Sequence, residues 1–433
     1  MLLSLALACA PTGLEVGGGP ADRPPREDTD PADTDATDTD PTDTDPADTG
    51  SETGFEHVPD DTGTTDTGEK IEADDTRIFN LDAIHTVAIT LPADGRRALA
   101  ADPYTYVAAD VSFDGASFPN VGVRIKGRLG SYRTLDQKAG FKVDFLEFGE
   151  ATKLEGLEKI NLNNMVQDCA KVHEYAAYGV SRMLDIPAPR VAYARVTVDG
   201  EDFGVYSLVE DYDDEFLQKN FSDPTGNLYD GDYYLWPNGS YTLVDFTDAG
   251  QPYFQLDEGA DVALSDVSAI TDALRAGGTF VDSLDTLVDR DQHAAFIAFS
   301  AWIGHYNSYT YYSNNYRVYF DPARGGKAVF LPWDPDWAFY SATAVTAFYG
   351  AISGKCYADP ACNARIHTTL DTLDTTLPGS ALESEIQAAI TLLQPSLMED
   401  PRMEDTMRAV RVCQADLFSW FDRRGGELDA AGL

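Results

Sequence analysis

From about Arg77 onward, short runs of the chain alternate apolar and polar positions. "HTVAITL" alternates, "YVAADVSFDG" ends at Asp114-Gly115, and "VGVRIKG" sets Val121, Val123 and Ile125 opposite Arg124 and Lys126. "FKVDF" repeats the pattern, with Phe141, Val143 and Phe145 on one face and Lys142 on the other. Period-two alternation bounded by an Asp-Gly turn predicts antiparallel strands. Between the last two runs lies "GRLGSYR", a glycine-containing loop rich in donors. "CAKVHEYAAYGVSRML" places apolar residues at 172, 175, 176, 179, 180 and 183, the spacing of a helix. Asp168 is its expected N-cap, and Pro187 and Pro189 lie beyond its end. "RVAYARVTVDGEDFGVYSLVE" predicts a hairpin turning at Asp199-Gly200. Strands, one helix and further strands suit the small half of a two-lobed α+β protein.

The pattern changes at about Asp211. "SLDTLVDRDQHAAFIAFSAWIGHY" reads as a helix, and "NNYRVYFDPARGGKAVFLPWD" as a hairpin with a Gly325-Gly326 turn. Ser380 and Glu383 form a capping-box pattern before "IQAAITLL", and "RAVRVCQADLFSWF" predicts a last helix. The expected organisation is a strand-rich N-lobe over about 76–210 and a mainly helical C-lobe over about 211–433. In "LPWDPDWAF", Asp334 and Asp336 stand two apart between two tryptophans. On an extended strand both would face the same way, where like charges need a cation or basic group opposite.

Composition bears on the partners. The 433 residues are 43% hydrophobic, enough for a sizeable core, and the net charge of −42 argues against nucleic acid. Residues 10–75 hold 21 acidic and 3 basic side chains, a net −18, which leaves −24 for the rest. This Asp/Thr/Pro-rich stretch has no apolar periodicity and lacks the Gly and Glu register of a calcium loop, so a solvated linker is expected. Ahead of it, "MLLSLALACAPTG" resembles a lipoprotein signal over residues 1–9 with Cys9 as the acylated residue, although no basic n-region precedes it. The expectation is export and retention at the cell envelope (outer membrane or cell surface) through a lipid on Cys9, otherwise secretion. Cys169, Cys356, Cys362 and Cys413 allow three pairings. Cys356 and Cys362 bracket "YADPA" and could close a small disulfide; zinc would need further ligands nearby.

The candidate chemistry lies in residues of several segments. A donor-rich loop, outward lysines, Glu174 on a helix, Asn314 and Asn315, and the two aspartates are the parts phosphoryl transfer uses. Backbone donors and a lysine serve phosphates, a carboxylate holds the lysine, and amide and acid oxygens serve Mg²⁺. No G-x-x-x-x-G-K-[ST], H-R-D or D-F-G occurs, which sets aside P-loop enzymes and ordinary protein kinases. A glycosidase using Asp334 and Asp336 as its acid pair is disfavoured, because its carboxylates must flank the scissile bond.

In order and spacing, "VGVRIKGRLGSYR", "FKVDF", "GVYSLVEDYDDEFLQKNF", "NNYRVYFDP" and "LPWDPDWAF" resemble the CotH family, the spore-coat-type atypical protein kinases. The resemblance spans about residues 78 to 345 and implies a two-lobed atypical kinase fold using ATP and Mg²⁺ (or Mn²⁺). It implies that Lys142 contacts the phosphates and pairs with Glu174, with Lys126 and Ser131 in the same nucleotide-binding set. The segment at Glu210 would be the adenine hinge, and Asn315, Asp334 and Asp336 would hold the metal. Asp336 would also be catalytic. Where the family carries an aspartate before the Asn pair, this chain has Asn307 in "HYNSYTYYSNN". Asparagine can hold a substrate hydroxyl but cannot take its proton. The implied function is therefore phosphorylation of Ser or Thr on envelope or extracellular proteins, the protein substrate being unknown. The alternative is a nucleotide-binding pseudokinase, scaffold or adhesin.

Overall fold

The computed structural model describes residues 77–149, 152–236, 239–340 and 347–432. The expected signal (1–9) and linker (10–75) lie outside the described residues. Seven strands, β1 (His85–Thr90), β2 (Val107–Phe113), β3 (Ala116–Lys126), β4 (Gly140–Asp144), β5 (Lys159–Asn163), β6 (Val191–Val198) and β7 (Glu201–Glu210), close a barrel. Their order is β1-β2-β3-β4-β5-β7-β6, and β6 returns parallel to β1. Asp114 and Gly115 both take positive φ at the β2–β3 turn, as do Asp199 and Gly200 at the β6–β7 turn, which is why Asp-Gly marks these hairpins. The apolar face of each strand fills the barrel: Val121, Val123, Ile125, Phe141, Val143, Ile160, Leu162 and Leu208 are all buried.

The sequence reading missed β5 and four of the strands that follow. Strands β8 (Asn227–Asp230), β9 (Tyr234–Leu235), β10 (Tyr241–Thr242), β11 (Gln255–Glu258), β12 (Tyr316–Asp321) and β13 (Lys327–Pro332) come after the barrel. The expected hairpin, β12–β13, forms half of a four-stranded sheet ordered β11-β8-β12-β13, while β9 and β10 pair separately. Helix α1 (Gly95–Ala101) sits in the barrel's first crossing, and α2 (His173–Met183) separates β5 from β6. The remaining helices are α3 (Asp214–Asn220), α4 (Ser265–Ala276), α5 (Phe280–Ser283), α6 (Arg290–Ile303), α7 (Tyr309–Tyr312), α8 (Ala351–Ala358), α9 (Pro360–Thr376), α10 (Ala381–Met398) and α11 (Met407–Ala431). This is a mixed α+β fold. Among the described residues no helix is long and apolar enough to cross a membrane.

Two helix boundaries differ from expectation. The helix expected over 283–306 is shorter, Arg290–Ile303, because the Asp289 side chain accepts from Gln292 N and starts it there. The helix expected after Asp168 begins only at His173. Asp168 still holds its start, accepting from Lys171 N and His173 N at 2.7 Å each. Ser380 caps α10 as expected, while Glu383 reaches back to Gly379 N.

The C-terminal segment is tied to the barrel by charge. Between α10 and α11, Asp400 lies 2.6 Å from Lys138 with both side chains almost wholly buried, and it accepts from Val205 N. Glu404 takes Arg133 and Asp405 takes Lys171. Gly204 makes the approach possible: its φ is +88°, and a Cβ there would lie 2.0 Å from the Asp400 carboxylate. Disulfides join Cys169 to Cys413 and Cys356 to Cys362.

Candidate functional site

The outward faces of β3, β4 and β5 carry a row of polar side chains that the rest of the protein covers. Lys126 extends from β3, and its Nζ donates to Asn163 Oδ1 of β5 at 2.6 Å. Asn163 Nδ2 in turn donates to Glu174 Oε1 at 2.7 Å, in the first turn of α2. Asn163 thus holds the lysine and the carboxylate together. Trp333 lies between two cations, with Lys126 Nζ 4.9 Å and Arg317 Cζ 5.1 Å from its ring centre. Trp333 itself is buried.

Two pairings differ from those the resemblance implied. Lys142 forms its ion pair with Asp211, 2.8 Å away, and the lysine facing Glu174 is Lys126. Lys142 and Lys126 both point outward, but they stand on neighbouring strands with Arg124 opposite Lys142 and Gly140 opposite Lys126. That stagger carries Lys142 towards the end of β7 and Lys126 towards α2. Burial opposes ionisation of Asp211, yet Lys142 more than offsets it and holds the carboxyl below its usual range. The Glu210 carboxylate is committed to Arg190, accepting from its backbone N at 3.0 Å and its Nε at 2.9 Å. Ser131 closes the glycine loop, its carbonyl accepting from Asn164 Nδ2, and a Cβ on Gly127 (φ +106°) would come within 3.1 Å of it.

The aspartates are not on a strand. β13 ends at Pro332, Asp334 takes φ +48°, and Pro335–Trp337 form a 3₁₀ turn. The shared-face arrangement expected for Asp334 and Asp336 is therefore replaced by a tight turn that packs on α2. The chain direction reverses at Asp334, which Pro335 stiffens by fixing the next φ. Asp334 N lies 3.2 Å from Tyr178 Oη of α2, and Asp336 O lies 3.3 Å from His173 Nδ1. Asn315 O accepts from Trp333 N at 3.1 Å, and Asn314 Nδ2 donates to Asn315 Oδ1 at 2.9 Å, which places the asparagine pair beside the same turn.

Negative charge accumulates here. Burial first, then Asp334, pushes the Glu174 carboxyl up to about 8. Asp336 is raised by burial, then by Asp334 and Glu174, with Lys126 opposing. Glu174 Oε2 is buried and has no hydrogen-bond partner. A carboxylate oxygen left unpaired at 1% exposure, beside two more carboxylates and one lysine, fits hard-cation ligation. The oxygens of Glu174, Asp334 and Asp336 do not all lie within 4.8 Å of one another; among the described residues the carboxylate group that meets that spacing is Glu158, Asp214 and Glu215.

Asn307 lies on the loop after α6, whose neighbour Tyr306 packs on Trp337 at 5.3 Å and is raised by burial and then by Asp336. Its Oδ1 is buried without a partner. His305 is fully buried, and burial pushes it down to about 3, so it is neutral. Sequence reasoning missed four residues: Asn163, Asp211, His173 and Asp232. The alternating polar positions of "KINLN" were the available signal for Asn163. Asp232 is pushed up to about 6 by burial and then Asp230, within reach of Arg128 and Asp334. A separate carboxylate group, Glu158, Asp214 and Glu215, lies against Lys153, which bonds to Glu215.

The family model for CotH, described as CotH kinase protein, matches residues 123–428. A solved structure of the toxin–antitoxin system HipA and HipB with operator DNA from Shewanella oneidensis MR-1 is similar at 13% identity, covering 81% of this chain and 74% of that one, with a TM-score of 0.29. No curated protein matches. With the family model spanning most of its length, the chain belongs to the CotH kinase protein family.

Proposed function

We propose that the protein is an exported, lipid-anchored kinase with a two-lobed atypical kinase fold. It transfers the γ-phosphate of ATP to Ser or Thr of envelope or extracellular proteins. The observation that carries this reading is the convergence of Lys126, Asn163, Glu174, Asp334 and Asp336, with a buried carboxylate oxygen unpaired. A bound divalent cation would supply charge neutralisation for the phosphates and the transferring group. The chain's own residues do the rest. Lys126, oriented by Asn163, faces the phosphate position, while Glu174 keeps the lysine in place. The loop 127–131 offers backbone donors, and Asn307 presents an unpartnered amide oxygen to hold an acceptor hydroxyl. Lys142, already neutralised by Asp211, supports the cleft wall and is not the main phosphate contact.

The test is incubation of the full chain with γ-labelled ATP and Mg²⁺ or Mn²⁺, scoring label on the protein itself and on a Ser/Thr-rich acceptor. Metal-dependent incorporation is expected. The pseudokinase reading, which Asn307 favours, wins if ATP raises the melting temperature while no label is transferred.

For location, both disulfides suit an oxidising compartment, in line with export. Expressed with a complete signal, the protein is expected in the membrane fraction, and Cys9→Ser is expected to move it to the soluble one. Retention of Cys9→Ser on membranes would rule out the Cys9 anchor.

A further inference from the structure

Asparagine at 307 leaves the reaction without an obvious proton acceptor, since an amide holds a hydroxyl but does not take its proton. The described residues offer few replacements. Asp230 is committed to Arg317 at 2.8 Å, and Asp257 to the same guanidinium at 3.0 Å. His305 is sealed in the core. Glu174, Asp334 and Asp336 are the carboxylates that the kinase reading gives to the cation.

Asp232 differs from all of these. It follows β8, and its side chain keeps 18% of its accessible surface although Oδ1 itself is buried. Its Oδ1 has no hydrogen-bond partner, the nearest cation being Arg317 Nη1 at 3.9 Å. Its backbone N–H donates to Asp230 Oδ1 at 2.6 Å, which fixes the local turn without using the Asp232 carboxylate. The next residue is clamped from both sides. Tyr233 N donates to Asn314 Oδ1 at 3.0 Å, and Asn314 also holds Asn315. From the other direction, Arg128 Nη1 donates to Tyr233 O at 2.6 Å, and Leu129 N donates to Tyr233 Oη at 3.1 Å. Asp232 is thereby fixed between the glycine loop and the asparagine pair.

We propose that Asp232 is the catalytic residue that takes the proton of the acceptor hydroxyl, the role Asn307 cannot fill. This rests on the kinase reading above. In the step, the acceptor oxygen forms its bond to the γ-phosphorus as the bond from that phosphorus to the bridging oxygen of ADP breaks. The hydroxyl proton passes to the Asp232 carboxylate, which returns it to solvent, and ADP leaves with the electron pair of the broken bond. Asn307 orients the hydroxyl beforehand.

Steady-state phosphotransfer and melting of the full chain with ATP and Mg²⁺ form the test. Asp232→Asn should lower kcat by about 10²-fold or more. The KM for ATP should stay within a few-fold, and the ATP–metal melting shift should be retained. Asn307→Asp in the Asp232→Asn background should recover much of the lost turnover, because it restores a carboxylate beside the same hydroxyl. Asp232→Glu, which keeps a carboxylate at this position, should lose less turnover than Asp232→Asn, a difference that a merely structural role would not give. An active wild type with unchanged turnover in Asp232→Asn overturns the assignment and leaves the kinase standing. Loss of the ATP–metal shift in Asp232→Asn would make it a metal ligand and overturn it too, as would equal losses of turnover in Asp232→Glu and Asp232→Asn. A wild type that transfers no phosphate removes the kinase reading and this role together.

Discussion

Asp336→Asn is expected to abolish the metal-dependent part of the ATP melting shift and to cut phosphotransfer by about 10³-fold or more, while making the ligand-free protein more stable. The two signs have one origin. Burial first, then Asp334, Glu174 and Asp168, outweigh the opposing Lys126, so the ionised form of Asp336 is disfavoured in the fold. The folded protein therefore binds that proton more tightly than the unfolded chain does. Where the native state holds more protons, stability falls as pH rises, here from about the ordinary aspartate value of 3.8 up to the raised folded value. A neutral amide of the same shape removes this loss, so the mutant's melting temperature should fall less between pH 5 and pH 8 than the wild type's. The same amide is a weaker ligand for a hard cation and carries no charge to offset it, and losing a charge-stabilising group of this kind is worth several kcal/mol in the transition state. Thermal melts with and without ATP and Mg²⁺, beside a kinase assay, read both effects. An equal metal-dependent shift in Asp336→Asn would take Asp336 out of the site.

Replacing both Cys169 and Cys413 by serine should lower stability more than replacing Cys356 and Cys362. The first bridge spans 244 residues in sequence and the second spans 6. Loop-closure entropy then gives the long bridge about 5 kcal/mol and the short one about half that. The long bridge also starts one residue after Asp168, whose carboxylate holds the first turn of α2, and Gln414 Nε2 donates to Ala170 O beside it. Loss of the bridge loosens the base of the helix that carries Glu174. The expected result is a melting temperature lower by several degrees and a weaker ATP–metal shift, both reproduced by reductant on the wild type. Equal costs for the two pairs would show that the unfolded chain is already compact across the long loop.

How far the sequence revealed this architecture depended on the kind of signal. β1 to β4 and the β6–β7 hairpin were legible because each buries one face and turns at Asp-Gly or another glycine pair. β5 was not: "KINLN" alternates over only five residues, with no Asp-Gly turn at either end to mark it as a strand. Strands such as β8 and β11 have four residues each, too few for a period to stand out. At the site, the residue types were legible and the partners were not. Alternation says that Lys126 and Lys142 point outward, but which one meets Glu174 follows from strand stagger and the position of α2, both tertiary facts. The Asp334 turn was hidden for a similar reason: an aspartate at positive φ before proline reads locally as the end of a strand.

The contacts of Asp400 bear on how the chain reaches this structure. Lys138 follows β3 and is buried with a charge whose nearest partner arrives 262 residues later. Burial, partly offset by Asp400, pushes it down to about 8, so without that aspartate the lysine would have to remain solvated. The barrel around Lys138 is therefore expected to reach its final packing only after residue 400 has been synthesised. A chain shortened before residue 399 should be held open near its amino-terminal half and be vulnerable to proteases there. Synthesis through Asp400, just past the end of α10, is thus the expected condition for Lys138 to be taken out of water.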